Sequence, residues 1–311
     1  MKDLSKKSAT VIEVDENALG QRLDNFLLRH CKGVPKSHIY RIIRDGQVRI
    51  NSKRVDANRR LELHDKVRMP PLRIAQTNKP ILNSSKKVVF DILFEDDALL
   101  AINKPAGLAV HGGSGVSFGV IEQLRQQRPQ AKFLELVHRL DRETSGILLL
   151  AKKRSALIGL HEAIREGNIE KWYLALVKGR WTNSKQHVKL ALNKYVTSAG
   201  ERRVNIEEDG MPAHTIFTLK QNYDGFSLLE AELKTGRTHQ IRVHLAHLGF
   251  PICGDDKYGD FALNKELAKQ GLKRMFLHAQ KITFSHPKND RLINIEASLP
   301  KELQEFLGRL K

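Results

Sequence analysis

The residues best suited to chemistry in this chain surround one carboxylate. Asp141 stands between Arg139 and Arg142 in the stretch His138-Arg139-Leu140-Asp141-Arg142-Glu143-Thr144-Ser145-Gly146, which joins two apolar runs. Flanking positive charge favours the anionic form of a carboxylate. Held on a turn beside a rigid strand, such an anion can act as a nucleophile or as an electrostatic clamp. The pattern equally suits an Asp that caps a turn and pairs with a neighbouring Arg, because structural ion pairs are common.

Other candidate groups divide the same way. Thr235-Gly236-Arg237-Thr238-His239-Gln240-Ile241-Arg242-Val243-His244 reads as a turn running into a helix. Arg237 stands at its mouth, where it can reach a carboxylate or a phosphate. His239, His244 and His247 lack the HExxH spacing and a carboxylate at ligand distance, so no metal site is expected. The chain has two cysteines, Cys31 and Cys253, with no Cys or His at metal-site spacing, which speaks against disulfide and zinc frameworks alike. His111-Gly112-Gly113-Ser114-Gly115 lacks the spacing of a P-loop or dinucleotide fingerprint, so a mobile loop at a cleft rim is expected and a nucleotide cofactor is not. In Lys171-Trp172-Tyr173-Leu174-Ala175, strand alternation puts Tyr173 opposite Trp172, a position that serves a core as readily as a site. Phe276-Leu277-His278-Ala279, taken alone, is an ordinary apolar segment.

The elements that must position these groups form two domains, the default for 311 residues. The 53 Lys and Arg against 35 Asp and Glu give a net charge of +18, an excess that suits a polyanionic partner. Residues 1–76 carry 17 basic and 9 acidic side chains, so basic charge is densest there. No apolar run approaches the roughly 18 residues needed to span a bilayer. The first residues, MKDLSKKSATVIEVDE, turn acidic where a signal peptide would be apolar, and a soluble cytoplasmic protein is expected.

Residues 1–19 read as a tail. In residues 20–76, Gln21 to His30 sets Leu23, Phe26, Leu27 and His30 on one helical face, and Lys36 to Asp45 does so with Ile39, Ile42 and Ile43. Ser37 is the expected cap of that second helix, and Gly46 its left-handed end. Val48 to Ile50 and Lys66 to Met69 read as strands of a basic hairpin turning at Asn51–Arg54. One apolar side and one cationic side result, with Arg22, Lys36, Arg41, Arg44, Arg49, Lys53 and Arg54 as candidate RNA contacts. A solvated charged surface, or a DNA-binding helix pair, is the alternative. Residues 77–87 read as a linker, and residues 88–311 as an α+β domain whose hairpins make a largely antiparallel sheet with a central cleft.

From Gly20-Gln21-Arg22-Leu23-Asp24 to Val67-Arg68 the N-terminal unit resembles an S4-type RNA-binding domain. The nine residues from His138 to Gly146 resemble the signature of RluA-type pseudouridine synthases. So do Asn103-Lys104-Pro105-Ala106-Gly107, Lys171 to Ala175, Gly236-Arg237-Thr238-His239-Gln240 and Leu277-His278-Ala279, all in the family's order. The resemblance implies isomerisation of uridines in large-subunit ribosomal RNA, a reaction that needs neither metal nor organic cofactor; no membrane partner is expected, and with no coiled-coil pattern in the sequence a monomer is expected. The resemblance implies Asp141 as the essential carboxylate, Arg237 as the partner that orients it, and Tyr173 as the residue that stacks on uracil and assists the later C5 proton transfer. Leu277 would be an apolar wall, with Lys104 and His138 also at the substrate. Arg139 is the candidate to fill the space of an extruded base, since its planar guanidinium stacks on bases. Another target RNA, or a non-catalytic RNA-assembly factor, are the rival readings.

Overall fold

The computed structural model describes residues 8–31, 33–72, 88–112, 118–198 and 200–311. They belong to two compact units, 1–87 and 88–311. The expected linker, residues 77–87, and Gly113 to Gly115 of the expected loop lie outside the described residues.

The first unit contains β1 (Thr10–Glu13), α1 (Leu23–His30), α2 (Lys36–Arg44), β2 (Arg49–Ile50) and β3 (Lys66–Met69). Leu23, Phe26 and Leu27 of α1 and Ile39, Ile42 and Ile43 of α2 are buried in one core with Val48, Val67 and Met69. The apolar faces are those their helical spacing sets. β3 is the central strand, pairing antiparallel with β2 and β1. Thr10–Glu13 is therefore a strand of this unit, where the sequence reading had a tail: its partner lies more than fifty residues away and leaves no local pattern. Ser37 does not cap α2. Pro35 holds the N-cap position and Ser37 lies inside the helix, the arrangement Pro favours by fixing φ before the first turn. Gly46 does end it in the left-handed region, at φ 70°.

The second unit holds β4 (Asp91–Glu95), β5 (Leu99–Lys104), α3 (Val120–Gln127), β6 (Glu135–Leu136), β7 (Ser145–Ala151), α4 (Arg154–Glu166) and β8 (Glu170–Lys178). β9 (Lys185–Lys189), β10 (Leu192–Val196), β11 (Arg202–Ile206), β12 (His214–Tyr223), β13 (Phe226–Leu233) and α5 (Gln240–His247) follow. The chain closes with α6 (Phe261–Lys269), β14 (Leu277–Ser285), β15 (Leu292–Glu296) and α7 (Lys301–Leu307).

One ten-stranded sheet runs β4-β5-β7-β14-β8-β13-β12-β9, with β15 on β14 and β6 on β7, while β10 and β11 form a separate hairpin. Every pairing in the large sheet is antiparallel except β7 with β14. β7 is buried along its whole length, because the sheet is covered on both faces. Its alternation sends Leu148 and Leu150 into one core, and Ile147, Leu149 and Ala151 into the other. α3 packs on the first core through Val120, Ile121 and Leu124, and α4 on the second through Ala156 and Leu160. Gly146 is required where β7 meets β14: at φ 107°, an added Cβ would lie 2.2 Å from the Ala279 carbonyl oxygen.

Candidate active site

Asp141 lies in the connection between β6 and β7, and backbone and side-chain bonds fix that connection along its length. Val137 N–H donates to Leu149 O at 3.0 Å and Thr144 N–H to Asp141 O at 3.2 Å. Leu149 N–H donates to His138 Nε2 at 3.1 Å. Burial, reinforced by the nearby Lys171 charge, pushes His138 down to about 4, so its ring is neutral at pH 7 and accepts that bond.

One buried and one half-buried cation grip the residues after Asp141. Lys104 Nζ donates to the carbonyls of Pro105 and Leu108 at 2.8 Å and of Arg142 at 3.1 Å. Arg274 Nη2 reaches Ser145 Oγ at 2.7 Å, Leu277 O at 3.3 Å and Glu143 O at 3.4 Å. Ser145 Oγ also meets His278 Nδ1 at 2.9 Å, while His278 Nε2 faces Ala297 O at 3.1 Å. Nε2–H donates to the Ala297 carbonyl, leaving Nδ1 to accept from the Ser145 hydroxyl; burial holds His278 neutral, near 4. Together these contacts tie the start of β7 to the start of β14, and Glu143 to Leu277 through Arg274.

The group facing Asp141 is Arg242, the third residue of α5. Its Nη1 lies 3.3 Å from Asp141 Oδ2, and its Nε and Nη2 form a two-point fork on Asp255 at 2.7 and 2.6 Å. Asp256 accepts from Nη2 at 3.2 Å. Arg242 is 3% exposed and Asp255 1%. Burial alone would raise the Asp255 carboxyl, but the Arg242 fork and the N–H groups of Lys257 and Tyr258 outweigh it and hold it below the usual range. Burial likewise opposes the Arg242 charge, and Asp255 with Asp141 overcomes it, raising that guanidinium. The cation opposite Asp141 is thus permanent and rigidly aimed.

His239, just before α5, adds a second contact. Its Nε2 is 3.9 Å from Asp141 Oδ2 and its Nδ1 is 2.9 Å from the Tyr258 hydroxyl, which accepts from Val204 N–H at 2.9 Å. His239 has φ 54°, an uncommon conformation for a side chain with a Cβ and one that gathers at functional sites. Burial lowers its pKa, with the Asp141 charge opposing.

Asp141 opens onto a cavity of about 470 Å³ with Tyr173, Leu277, Arg242 and His239 in its wall. That volume suits a nucleoside-sized ligand. Tyr173, on β8, sits in register between Ala231 of β13 and Ala279 of β14, and is 7% exposed. Burial, then the Asp141 charge, pushes its phenol well up, so it is protonated at neutral pH in this state. Leu277 begins β14 and is 3% exposed. A second cavity, of about 380 Å³, also reaches Asp141, and exposed Arg139 lines both.

The structure thus brings Asp141, Tyr173, Leu277, His138 and Arg139 together. It does not pair Arg237 with Asp141: Arg237 is exposed in the cavity wall, its Nε donating to Pro212 O at 3.1 Å. Arg242 holds the place assigned to Arg237, because the phase of α5 carries the later arginine inward. Lys104 is fully buried on backbone carbonyls and is absent from this cavity, so it shapes the Asp141 connection and does not face substrate. Arg142, the second arginine beside Asp141 in sequence, turns to Glu143 and to Gly107 O. Sequence reasoning missed Arg242, His239, Asp255 and Tyr258. No helical spacing marks them, since His239 lies before α5 in a left-handed conformation.

In the first unit, Arg22, Lys36, Arg41, Arg44, Arg49, Lys53 and Arg54 are all exposed. Arg22 is committed to buried Asp24, through bonds of 3.2 and 2.8 Å. Arg44 and Arg54 share a hollow with Tyr40. Among the described residues no cluster of His, Cys, Asp and Glu could hold a metal ion, and no helix is long and apolar enough to cross a membrane.

Comparison with known proteins gives this geometry a context. Residues 98–247 match the model for RNA pseudouridylate synthases, and residues 21–67 that for the S4 domain. The chain is 50% identical over 309 residues to ribosomal large subunit pseudouridine synthase C of Pasteurella multocida, covering 98% of this chain and 95% of that protein. It is 48% identical to the protein of that name from Escherichia coli K12, covering 98% of this chain and 97% of the relative. The solved structure of human RNA pseudouridylate synthase domain containing 1 superposes with a TM-score of 0.58 at 25% identity, over 70% of this chain and 87% of that one.

Proposed function

The chain belongs to the RluA-type RNA pseudouridylate synthases that carry an S4 domain, and on that premise we propose that it isomerises uridines of large-subunit (23S) ribosomal RNA with Asp141 as the essential carboxylate. The observation that carries this reading is the single cavity wall shared by Asp141, Arg242, Tyr173 and Leu277.

The reaction breaks the bond from N1 of uracil to ribose C1′ and forms one from C5 to C1′. A proton leaves C5 and one is gained at N1, so nothing is added or lost overall. Asp141 has three routes: attack on ribose, proton abstraction at C2′, or attack on the base. Each needs its oxygen held at one point, which the Arg242 contact and the gripped backbone on its C-terminal side support. Tyr173 offers its ring face to uracil, and its hydroxyl assists the later transfer of the C5 proton. Leu277 closes the wall behind the detached base.

A uridine in folded RNA must leave its stack first, at a cost of a few kcal/mol. Arg139 is exposed beside Asp141 and is our choice to occupy the vacated space. The exposed cations of the S4 unit, from Lys36 to Arg54, would hold structured RNA by phosphate and shape. On this reading the protein works in the cytoplasm, where ribosomal RNA is made, and acts as a monomer. Mapping pseudouridines at nucleotide resolution in 23S ribosomal RNA from cells with and without the gene tests the substrate. Loss of one or more sites is expected; an unchanged map overturns the assignment.

A further inference from the structure

Lys171 is a cavity cation that the chemistry above does not use. Lys171 is two residues before Tyr173 on β8, hence on the same face of the strand, and lines the cavity with Asp141. Trp172, on the opposite face, is met by Lys281, whose Nζ lies 5.4 Å from its ring centroid. Lys171 is only partly exposed, yet its ammonium has no hydrogen bond or ion pair among the described residues. By contrast, buried Lys104 and Arg242 each have several oxygen partners. Burial lowers the Lys171 pKa and no neighbouring anion raises it.

An unpaired ammonium drawn out of water is costly, and packing alone would be served as well by Met. Its surroundings in the cavity add to the positive field: Arg165 of α4 and Arg139 lie in the same wall. Asp141 bonds to Arg242 and makes no ion pair with Lys171, so a ligand anion is the counter-charge that would satisfy the ammonium.

We propose that Lys171 is a phosphate-binding residue, holding the backbone phosphate beside the target uridine so that C1′ is placed at Asp141. This rests on the proposed isomerisation of RNA. Uracil itself is neutral, whereas every nucleotide carries one phosphate charge, the partner that an ammonium with three donors accepts best. Lys171 is then a positioning residue at the substrate, not a group that reacts.

The test uses the full-length protein, wild type, Lys171→Met and Lys171→Arg, on an RNA oligonucleotide spanning a mapped target. The phosphate 5′ or 3′ to the target uridine is replaced in turn by an uncharged methylphosphonate. With natural RNA, Lys171→Met should raise KM about tenfold, the worth of one charge-assisted contact, with kcat largely kept. Its salt dependence should flatten by about one phosphate contact, and Lys171→Arg should restore most of the binding. One methylphosphonate should cost the wild type the same factor and cost Lys171→Met nothing more. Lys171→Met should also melt at or above the wild-type temperature, the reverse of losing a structural contact. Additive losses at both phosphates, or a collapse of kcat at unchanged KM, overturn the phosphate assignment. If wild type makes no pseudouridine on any large-subunit RNA, the underlying reading fails instead.

Discussion

Replacing Arg242 by Met separates the site's architecture from its chemistry. The substitution keeps the volume of the stem and removes four hydrogen bonds: two to Asp255, one to Asp141 and one to Asp256. Asp255 is 1% exposed and would keep only the N–H groups of Lys257 and Tyr258 as charge-stabilising partners. Removing one member of a buried pair costs about 3–5 kcal/mol, because the other charge stays buried and uncompensated. For a unit of this size that lowers Tm by roughly 10 °C. Adding Asp255→Asn should recover a large part of the loss, since the orphaned charge goes with it. Below the melting range, the folded variant should turn over at least about 10²-fold more slowly, the cost of misplacing a reacting group by about 1 Å. Arg237→Met is the control: exposed and bonded to Pro212 O, it should cost little stability and leave Asp141 in place. Thermal melts and single-turnover pseudouridine assays on the four proteins read both quantities. Wild-type turnover by folded Arg242→Met, or a larger defect in Arg237→Met, would refute the assignment of Arg242.

Two further substitutions probe the supports of the site and the fold. Lys104→Met should strand the Pro105 and Leu108 carbonyls in the interior, leaving that of Arg142 only the Gly107 N–H, and destabilise by about 2–4 kcal/mol, lowering kcat more than it raises KM; unchanged stability would mean those carbonyls find other donors. Glu95 is held down to about 2 by the Arg128 fork and by Lys152, below its ordinary 4.5. Its contribution is therefore present above pH 4.5 and lost as pH falls toward 2. Glu95→Gln should flatten that part of the stability profile by about 1 kcal/mol after solvent screening, and a wild-type slope there would contradict the pairing.

Period and motif carried much of the fold into view. The apolar faces of α1 and α2 and the alternation of β7 follow from spacing alone, and the α+β, largely antiparallel sheet from the succession of hairpins. What escaped depends on distance in sequence. β1 is short and its partner β3 lies far along the chain, so no local signal marks it. The site shows the same division. Asp141 was legible as a carboxylate among arginines, yet neither neighbouring arginine is its partner. The cation that faces it comes from α5, about a hundred residues on, and is fixed by Asp255 further still. Choosing Arg242 over Arg237 requires the helix phase and the fork on Asp255, which only the folded chain displays. Lys104 failed as a substrate residue for a related reason. A lysine in a motif reads as a free charge until the carbonyls around it are seen.

The central claim is that Asp141 does the chemistry and does not merely hold a turn. The direct measurement is pseudouridine formed per enzyme on natural large-subunit RNA by Asp141→Asn and Asp141→Ala, with RNA affinity measured on the same proteins. Asn keeps the shape and an oxygen for Arg242 but loses the charge, so it should fold and bind RNA within a few-fold of wild type. The account predicts no product above background from either variant. Turnover within about tenfold of wild type by Asp141→Asn would return Asp141 to a structural role and contradict the account.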